Sequence, residues 1–471
     1  MEDENIVQAI PNAQASEWMK ENIPLFDCPQ KNFEEMFYYR WWTLRKHIKE
    51  TPVGYGMTEF LVDRSYADKY NLIACAIGHH IYESRWLRDP KYLDGIIHTW
   101  YRGNEGKPMN KMMKFSSWNP DAVYNRYLVD LDKEFLTDMY NDLCDEYKRW
   151  EESHRLANGL YWQGDVQDGM EESISGGRKK QYARPTINSY MYGNAMALST
   201  VATMLGKTED AKLYSEKAAA IKNLVESRLW NEKSQFFETV RGDTCAQVRE
   251  AIGYIPWYFN LPSAGKYDEA WKQLNDEKGF SAPYGLTTAE RRHPEFRTHG
   301  VGKCEWDGAI WPFATAQTLT ALANYLNHTD NPSVTDSTYF RQMELYVESQ
   351  HHRGRPYVGE YLDEVTGYWL KGDQERSRYY NHSTFNDLVI TGLVGLRPRP
   401  DNTIEVNPLV PENKWDWFCL DNVLYHGHNL TILWDKYGDR YHQGRGLRVL
   451  VDGKEVGHAD TLTKLVCPNV L

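Results

Sequence analysis

The sequence lacks the features that mark several large protein classes. Its seven cysteines are scattered over 471 residues without a CxxC pair or a regular spacing, which argues against a disulfide scaffold and a structural zinc site. No apolar run approaches the roughly 18 residues of a membrane span, so no membrane partner is expected. No glycine-rich phosphate-binding motif and no GxSxG motif occurs, so nucleotide-dependent and serine-hydrolase chemistry has no support.

An excess of positive charge is also missing. The chain has 54 Lys+Arg against 66 Asp+Glu, a formal net charge of −12. Because such a surface repels nucleic acid, no nucleic-acid partner is expected. There is no HExxH motif, and the adjacent His79 and His80 point to different sides of a helix. We therefore expect no metal site and no cofactor.

The N-terminus, MEDENIVQAIPNAQ, is acidic. It lacks the charged-then-apolar layout of a signal peptide. A cytoplasmic location is the default expectation, and a periplasmic one applies if the chain was trimmed. The sequence leaves the compartment and the oligomeric state open.

What the chain does have is a repeated pattern of paired helices. Helix pairs are predicted around short polar turns at residues 88–90, Asp130, 206–208, 262–265 and 327–330. The return helix after Asp130 carries apolar residues at helical spacing, namely Leu131, Phe135, Met139, Leu143, Tyr147 and Trp150. Hairpins at long, irregular intervals favour a closed ring, an (α/α)6 toroid, over a regular solenoid. The fold class is predicted to be mainly α.

The sequence pattern changes from helical to strand-like after about residue 395. Short β-branched runs are divided there by Pro, Asn-Asp and Asp-Gly turns, such as Asp452-Gly453. We predict a catalytic helical barrel over residues 1–395 and a small antiparallel β-sandwich over residues 396–471.

Two loops that follow return helices carry carboxyl groups among glycine and aromatic residues. The loop at residues 159–177 holds Asp165, Asp168, Glu171, Glu172 and Trp162, and the loop at residues 355–373 holds Glu360, Asp363, Glu364, Tyr361, Tyr368 and Trp369. Because return helices in a ring deliver their loops to one end, a carboxyl group from each loop is expected to face the other across a pocket. Inverting glycoside hydrolysis needs such a pair, about 6.5–9.5 Å apart. Aromatic neighbours keep one of the two acids protonated.

A third stretch, residues 304–326, has two interpretations. Trp306, Asp307 and Trp311 precede Pro312, which suits the first turn of a helix. The stretch is either a helix start with two core tryptophans or a pocket wall in which Asp307 binds a sugar hydroxyl. Trp42 is a further candidate for the mouth of the pocket. The high aromatic content, 14% with 17 Trp and 32 Tyr, suits a large core and, to a lesser degree, sugar stacking.

At these loops the chain resembles the six-hairpin glycosidases of the processing α-glucosidase I, mannosylglycerate hydrolase and trehalase type, which is roughly glycoside hydrolase family 63. Gly169-Met170-Glu171-Glu172-Ser173 is similar to that family's Gly-Trp-Asp-Asn-Ser. The segment from Trp306 to Pro312 is similar to Trp-Arg-Gly-Pro-x-Trp-Pro, and the segment from Glu360 to Gly367 is similar to Glu-x-Tyr-Asn-Pro-x-Thr-Gly. The resemblance covers residues 33–396.

The resemblance implies a bacterial glycoside hydrolase that cleaves an α-linked glycoside with inversion. It puts the general acid on Glu171 and the general base on Glu360. Asp168 is the reserve acid, because a glutamate stands where the family has aspartate. Residues expected to hold the carbohydrate substrate are Trp306, Asp307, Trp311 and Tyr361, with Trp42 and Trp162 as further candidates.

Other functions fit the same pattern. One alternative is another six-hairpin glycosidase, such as an α-L-rhamnosidase. A sugar epimerase or a polysaccharide lyase would use a His, Tyr or Lys base at the mouth, and a non-catalytic sugar-binding protein would not need two opposed carboxylates.

Overall fold

Helices dominate the first four fifths of the computed structural model, which describes residues 8–471. The helices are α1 Ala15–Asn22, α2 Lys31–His47, α3 Ile77–Ser84, α4 Lys91–Arg102, α5 Asn119–Asp130, α6 Lys133–His154, α7 Pro185–Met204, α8 Thr208–Leu224, α9 Ile255–Tyr258, α10 Pro312–His328, α11 Asp336–Ser349 and α12 Asn386–Leu388. Single π-helical turns, Val225–Leu229 and Val389–Leu393, extend α8 and α12. The prediction of a mainly helical chain is confirmed.

The predicted amphipathic stripe lies in α6. Its side chains from Phe135 to Trp150 face the core, whereas Leu131 ends α5 in a left-handed conformation with φ 56°. Asp132 then caps the start of α6, because its carboxylate accepts the Phe135 N–H at 2.9 Å. Leu131, which the sequence pattern assigned to the amphipathic stripe of the helix, therefore belongs to the turn before α6.

Two kinds of helix can be told apart by burial. All eight residues of α3 are buried, as are most residues of α7 and α10. By contrast, α8 buries only Tyr214, Ala218 and Ile221. A helix that is buried on every side lies inside the domain, and one with a single apolar stripe lies on its surface. The inner helices contact one another in the order α3, α5, α7, α9, α10, α12 and again α3.

The hairpin predicted around residues 262–265 is much shorter than the others. α9 has one turn, and a 3-10 helix, Asp268–Leu274, takes the place of the return helix. Asn260 is left-handed with φ 53°, and Pro262 lacks the N–H that a continuing helix needs. The local sequence thus ends the helix early.

Short two-stranded pairings and one four-stranded sheet brace the loops between helices. Their strands are β1 Leu25–Asp27, β2 Ile48–Thr51, β3 Gly54–Met57, β4 Trp162–Gln163, β5 Tyr182–Ala183, β6 Trp230–Asn231, β7 Phe236–Phe237, β8 Val240–Arg241, β9 Thr244–Cys245, β10 Ser281–Ala282, β11 Gly285–Leu286, β12 His351–His352 and β13 Arg355–Pro356. β4, β5, β8 and β9 form one small sheet that carries the first acidic loop. Of these strands, β1 alone joins the C-terminal sheet described next.

The C-terminal part is built of antiparallel strands. They are β14 Leu396–Arg397, β15 Ile404–Val406, β16 Trp417–Tyr425, β17 His428–Asp435, β18 Gly446–Val451, β19 Lys454–Ala459 and β20 Leu465–Cys467. One sheet has the order β1-β16-β17-β18-β19 and the other β14-β15-β20. The first sheet takes its edge strand from the N-terminal region, with Leu25 opposite Asp421 and Asp27 opposite Cys419. The predicted turn at Asp452-Gly453 connects β18 and β19.

The N-terminal segment for which no signal peptide is predicted lies partly outside the described residues, since residues 1–7 are not described. Over residues 8–471, no helix combines the length and the apolar character that crossing a membrane requires.

Candidate active site

One cavity of about 380 Å³ receives a carboxyl group from each of the two acidic loops. Glu171 comes from the loop before β5 and Glu360 from the loop after β13. Other lining residues stand directly before or within the first turns of inner helices: Phe115 before α5, Trp306, Trp311 and Phe313 at α10, and Tyr380 and His382 before α12. The cavity therefore lies at the N-terminal ends of the inner helices.

Glu171 projects from a tight turn into a poorly solvated position. Met170 N–H donates to the Asp165 carbonyl at 2.9 Å, and Gly169 is left-handed with φ 73°. A Cβ at Gly169 would lie 2.4 Å from Cys75 Sγ, so only glycine fits this close approach. Burial raises the pKa of Glu171 to about 7, and the negative charge of Glu360 adds to the shift. A substantial fraction of Glu171 is therefore protonated near neutral pH.

Glu360 lies in the opposite electrostatic environment. Its side chain is buried, and Lys371 Nζ and Arg376 Nη2 lie 3.3 and 3.6 Å from its Oε2. Reciprocal hydrogen bonds between Leu362 and Ile310, both 3.0 Å, fix the backbone of its loop against the start of α10. Two cationic groups therefore stand beside this carboxyl group on the cavity wall. The cavity thus brings together a carboxyl group with a raised pKa and a second carboxyl group next to two cations.

Aromatic rings form one wall. Trp306 and Trp311 line the cavity and stack on each other at 4.5 Å between ring centroids. Tyr361 stacks behind Trp311, also at 4.5 Å, and its hydroxyl donates to the Lys303 carbonyl. The stack presents indole surface of the kind on which the C–H face of a sugar packs.

Asp307 is buried but does not line the cavity. Its carboxylate accepts the N–H groups of His299 and Gly300 at 2.6 and 3.0 Å. Through these bonds Asp307 folds the preceding loop onto the start of α10. Its contact with a sugar hydroxyl stays a prediction.

Asp168, the reserve acid, is also turned away from the cavity. Its carboxylate accepts from Arg184 Nε and Ser116 Oγ, both at 2.6 Å, and from the Thr186 hydroxyl. Arg184 and Asp168 are both buried. These contacts form a buried ion pair that joins the acid loop to the first turn of α7.

The structure does not bring two of the predicted aromatic residues to this cavity. Trp42 lines a separate cavity of about 900 Å³ and has Lys46 Nζ 3.8 Å from its ring centroid. Trp162, the first residue of β4, stacks on His154 with ring centroids 4.5 Å apart.

Several lining residues carry chemistry that no motif indicated. Lys371 and Arg376 follow Glu360 in the same loop, where their basic character was the available signal. Glu59, Tyr380 and His382 belong to segments without a recognisable pattern. Glu59 is buried, and burial raises its pKa to about 8. Within residues 8–471, no group of three or more His, Cys, Asp and Glu side chains is arranged to hold a metal ion.

The chain combines paired helices with a C-terminal region of strands. At the N-terminal ends of the inner helices it has an aromatic cavity with two carboxyl groups. This is the layout of a glycoside hydrolase domain. The chain belongs to the family of mannosylglycerate hydrolase MGH1-like glycoside hydrolase domains, whose family model matches residues 69–383. The family model of the C-terminal domain of glycosyl hydrolase family 65 matches residues 396–458. The resemblance to glycoside hydrolase family 63 is thereby confirmed.

Three relatives illustrate the range of similarity. A solved structure named "Sialidase" is 78% identical over the whole chain, with a TM-score of 0.99, but the chain covers 44% of it. The glycoside hydrolase family 63 mannosylglycerate hydrolase of Thermus thermophilus, solved with glucose, is 13% identical over 75% of this chain and 99% of its own, with a TM-score of 0.57. An uncharacterized protein of Borreliella burgdorferi is 25% identical over 183 residues, 38% of each chain. The chain thus spans less than half the length of the curated relative and of the sialidase-named chain.

Proposed function

We propose that the protein is an inverting glycoside hydrolase that cleaves an α-linked glycoside from an oligosaccharide or a small glycoside. Glu171 gives its proton to the leaving oxygen as the bond to the anomeric carbon breaks. Glu360 takes a proton from the water that forms the new bond to that carbon. Exchange with solvent then returns both groups to their starting states.

The observation that carries the proposal is that Glu171 and Glu360 line one cavity in opposite electrostatic settings. A pair of carboxyl groups whose environments separate their proton affinities is what acid and base roles require. Burial raises the pKa of Glu171, whereas Lys371 and Arg376 place two positive charges within 4 Å of the Glu360 carboxyl group. This difference supports the assignment of the acid to Glu171 and of the base to Glu360.

The stacked rings support a carbohydrate substrate. In the proposal Trp306 and Trp311 contact the sugar face, and Tyr361 and Asp307 hold the wall in place. The α-linkage follows from the resemblance to enzymes that act on α-linked substrates. We further propose that the contacts among the six inner helices close an (α/α)6 toroid over residues 1–395, and that residues 396–471 form a β-sandwich domain.

The test is product analysis by proton NMR. Aryl glycosides and α-linked disaccharides, including rhamnosides and sialosides, are incubated with the full chain, and the anomer that forms first is recorded. Inversion first gives a product whose anomeric configuration is opposite to that of the substrate, before mutarotation mixes the two anomers. Retention, or no turnover of any substrate, contradicts the proposal.

Three matched variants test the roles. Glu171→Gln and Glu360→Gln should each lower kcat by about 10² to 10⁴. Glu172→Gln is the control, because Glu172 pairs with Arg178 at 2.6 Å and does not line the cavity. Near-normal activity of both cavity variants, or a loss confined to Glu172→Gln, rejects the assignment.

One observation favours a second candidate. Tyr380 and His382 line the same cavity, and a sugar epimerase or a polysaccharide lyase would use such a group to remove a proton from carbon. An epimer or an unsaturated sugar among the products would establish that function instead of hydrolysis.

A further inference from the structure

Glu59 is a third glutamate in the cavity of Glu171 and Glu360. It follows β3, and its backbone is fixed from two sides. The Thr58 N–H donates to the His47 carbonyl at 3.1 Å. The Asn381 N–H donates to the Glu59 carbonyl at 3.0 Å, and Asn381 Nδ2 donates to the Thr58 carbonyl at 3.1 Å. The position of Glu59 in the wall is therefore set by long-range contacts.

Two other buried glutamates of the helical region, Glu83 and Glu146, are fully bonded. Glu83 accepts the N–H groups of Phe385, Asn386 and Asp387 at 2.9 to 3.2 Å. Glu146 accepts from the Ser117 hydroxyl at 2.8 Å and the Asn119 amide at 3.0 Å, and also from the Tyr101 hydroxyl. Buried carboxyl groups in proteins are satisfied in this manner, because an unpaired one costs free energy. These two serve the fold.

Glu59 differs from both. Its Oε2 is buried and has no hydrogen-bond partner in the described part of the chain. The nearby Tyr380 hydroxyl lowers the pKa of the carboxyl group, whereas the negative charges of Glu360 and Glu171 raise it. A side chain that lines a cavity and carries an unpaired buried oxygen is a candidate for pairing with a ligand.

We propose that Glu59 binds a hydroxyl group of the sugar held between Glu171 and Glu360. The proposal rests on the proposed function and adds a specificity-determining contact to it. Burial keeps the carboxyl group of Glu59 neutral near pH 7, so it donates one hydrogen bond and accepts another. A sugar hydroxyl, which has one donor and two acceptor lone pairs, complements this group. The ligand class is therefore a sugar with a free hydroxyl at one defined position.

Sugar binding without turnover tests the proposal. The probes are free monosaccharides (D-glucose, D-mannose, D-galactose, L-rhamnose, L-arabinose and N-acetylneuraminate) and Tris, and calorimetry gives the Kd for the full chain. Glu59→Leu should weaken the best probe by about tenfold, the effect of losing one hydrogen bond at a buried group. Glu59→Gln, which keeps a donor and an acceptor, should bind within about threefold of the unmodified chain. Glu172→Gln is the surface control.

Deoxy analogues of the best probe locate the contact. One analogue should bind Glu59→Leu and the unmodified chain equally, because it lacks the hydroxyl that Glu59 contacts. If every analogue keeps the tenfold difference, or if Glu59→Leu binds normally, the proposal is wrong. If no probe binds the unmodified chain, the cavity is not a sugar site, and the proposal and the proposed function both fail.

Infrared spectroscopy provides a second test of the proposal if Glu59→Leu does not fold. Infrared spectra of Glu171→Gln at about pH 7 should contain a protonated carboxyl band that is missing from the double variant Glu59→Gln, Glu171→Gln, and that moves when the sugar binds. A band that does not move indicates a merely structural carboxyl group. Normal sugar binding by Glu59→Leu together with inactive Glu171→Gln and Glu360→Gln rejects only this inference. Active Glu171→Gln and Glu360→Gln together with weak binding by Glu59→Leu rejects only the catalytic assignment.

Discussion

Replacing Glu171 by glutamine should stabilise the protein above neutral pH while removing its activity. The buried carboxyl group has a pKa of about 7 in the folded chain, against 4.5 for the ordinary group. Between these two values the folded state binds more protons than the unfolded state, so the free energy of unfolding falls as the pH rises. The contribution is complete below about pH 4.5 and is lost as the pH passes about 7. Glutamine has no charge to bury and does not lose stability in this range.

The expected size follows from the same pKa. The folded value lies about 2.5 above the ordinary one, and each pKa unit corresponds to about 1.4 kcal/mol. Glu171→Gln should therefore gain about 3 kcal/mol relative to the unmodified chain between about pH 4 and about pH 8. Relaxation and water entry at the cavity mouth reduce this gain.

Urea unfolding of both proteins at several pH values gives the difference directly. Glu172→Gln is the matched control, since its carboxylate is partly exposed and paired with Arg178; its difference from the unmodified chain should change little with pH. A stability difference for Glu171→Gln that is the same at about pH 5 and about pH 8 would refute the conclusion that burial raises this pKa.

Three other outcomes are expected. In the unmodified chain kcat/KM should fall about tenfold per pH unit above about pH 7, as the Glu171 acid is lost; a rate that stays level to about pH 9 contradicts this. Asp168→Asn should lower the free energy of unfolding by about 3–5 kcal/mol, because it leaves Arg184 buried without its charge partner. The folded fraction of that variant should keep kcat within about tenfold of normal, and a far larger loss of kcat with normal stability would make Asp168 the acid. Trp311→Phe should raise KM about fivefold, the loss of about 1 kcal/mol of stacking, and an unchanged KM would exclude Trp311 from the sugar wall.

Part of the fold follows from local sequence patterns, and the exceptions have physical causes. Helical spacing of apolar residues identifies α6, and Pro312 marks the start of α10. The hairpin around residues 262–265 was predicted, but its shortness was not, because the left-handed Asn260 and the following Pro262 end α9 after one turn. Periodicity reports burial and is a weak indicator of where a helix ends.

The candidate site, like the fold, was predictable only in part. The placement of Glu171 and Glu360 in one cavity agrees with an argument that needs only the loop positions in a set of paired helices. Glu59 was not predictable, because its place depends on Asn381, 322 positions further along the chain. Asp168 lies in the same acidic loop as Glu171. Nothing in the local sequence indicates that Asp168 forms a buried ion pair with Arg184. The catalytic roles themselves stay predictions.

The pairing of Leu25–Asp27 with Cys419–Asp421 limits how the gene can be divided. A fragment that starts at residue 396 would leave one side of β16 without its neighbour, and open strand edges promote aggregation. Phe26 also packs against Trp415, with ring centroids 6.1 Å apart, so a fragment without its first 30 residues would uncover apolar surface on the same sheet. Truncated chains and domain swaps with longer relatives should therefore carry both segments together.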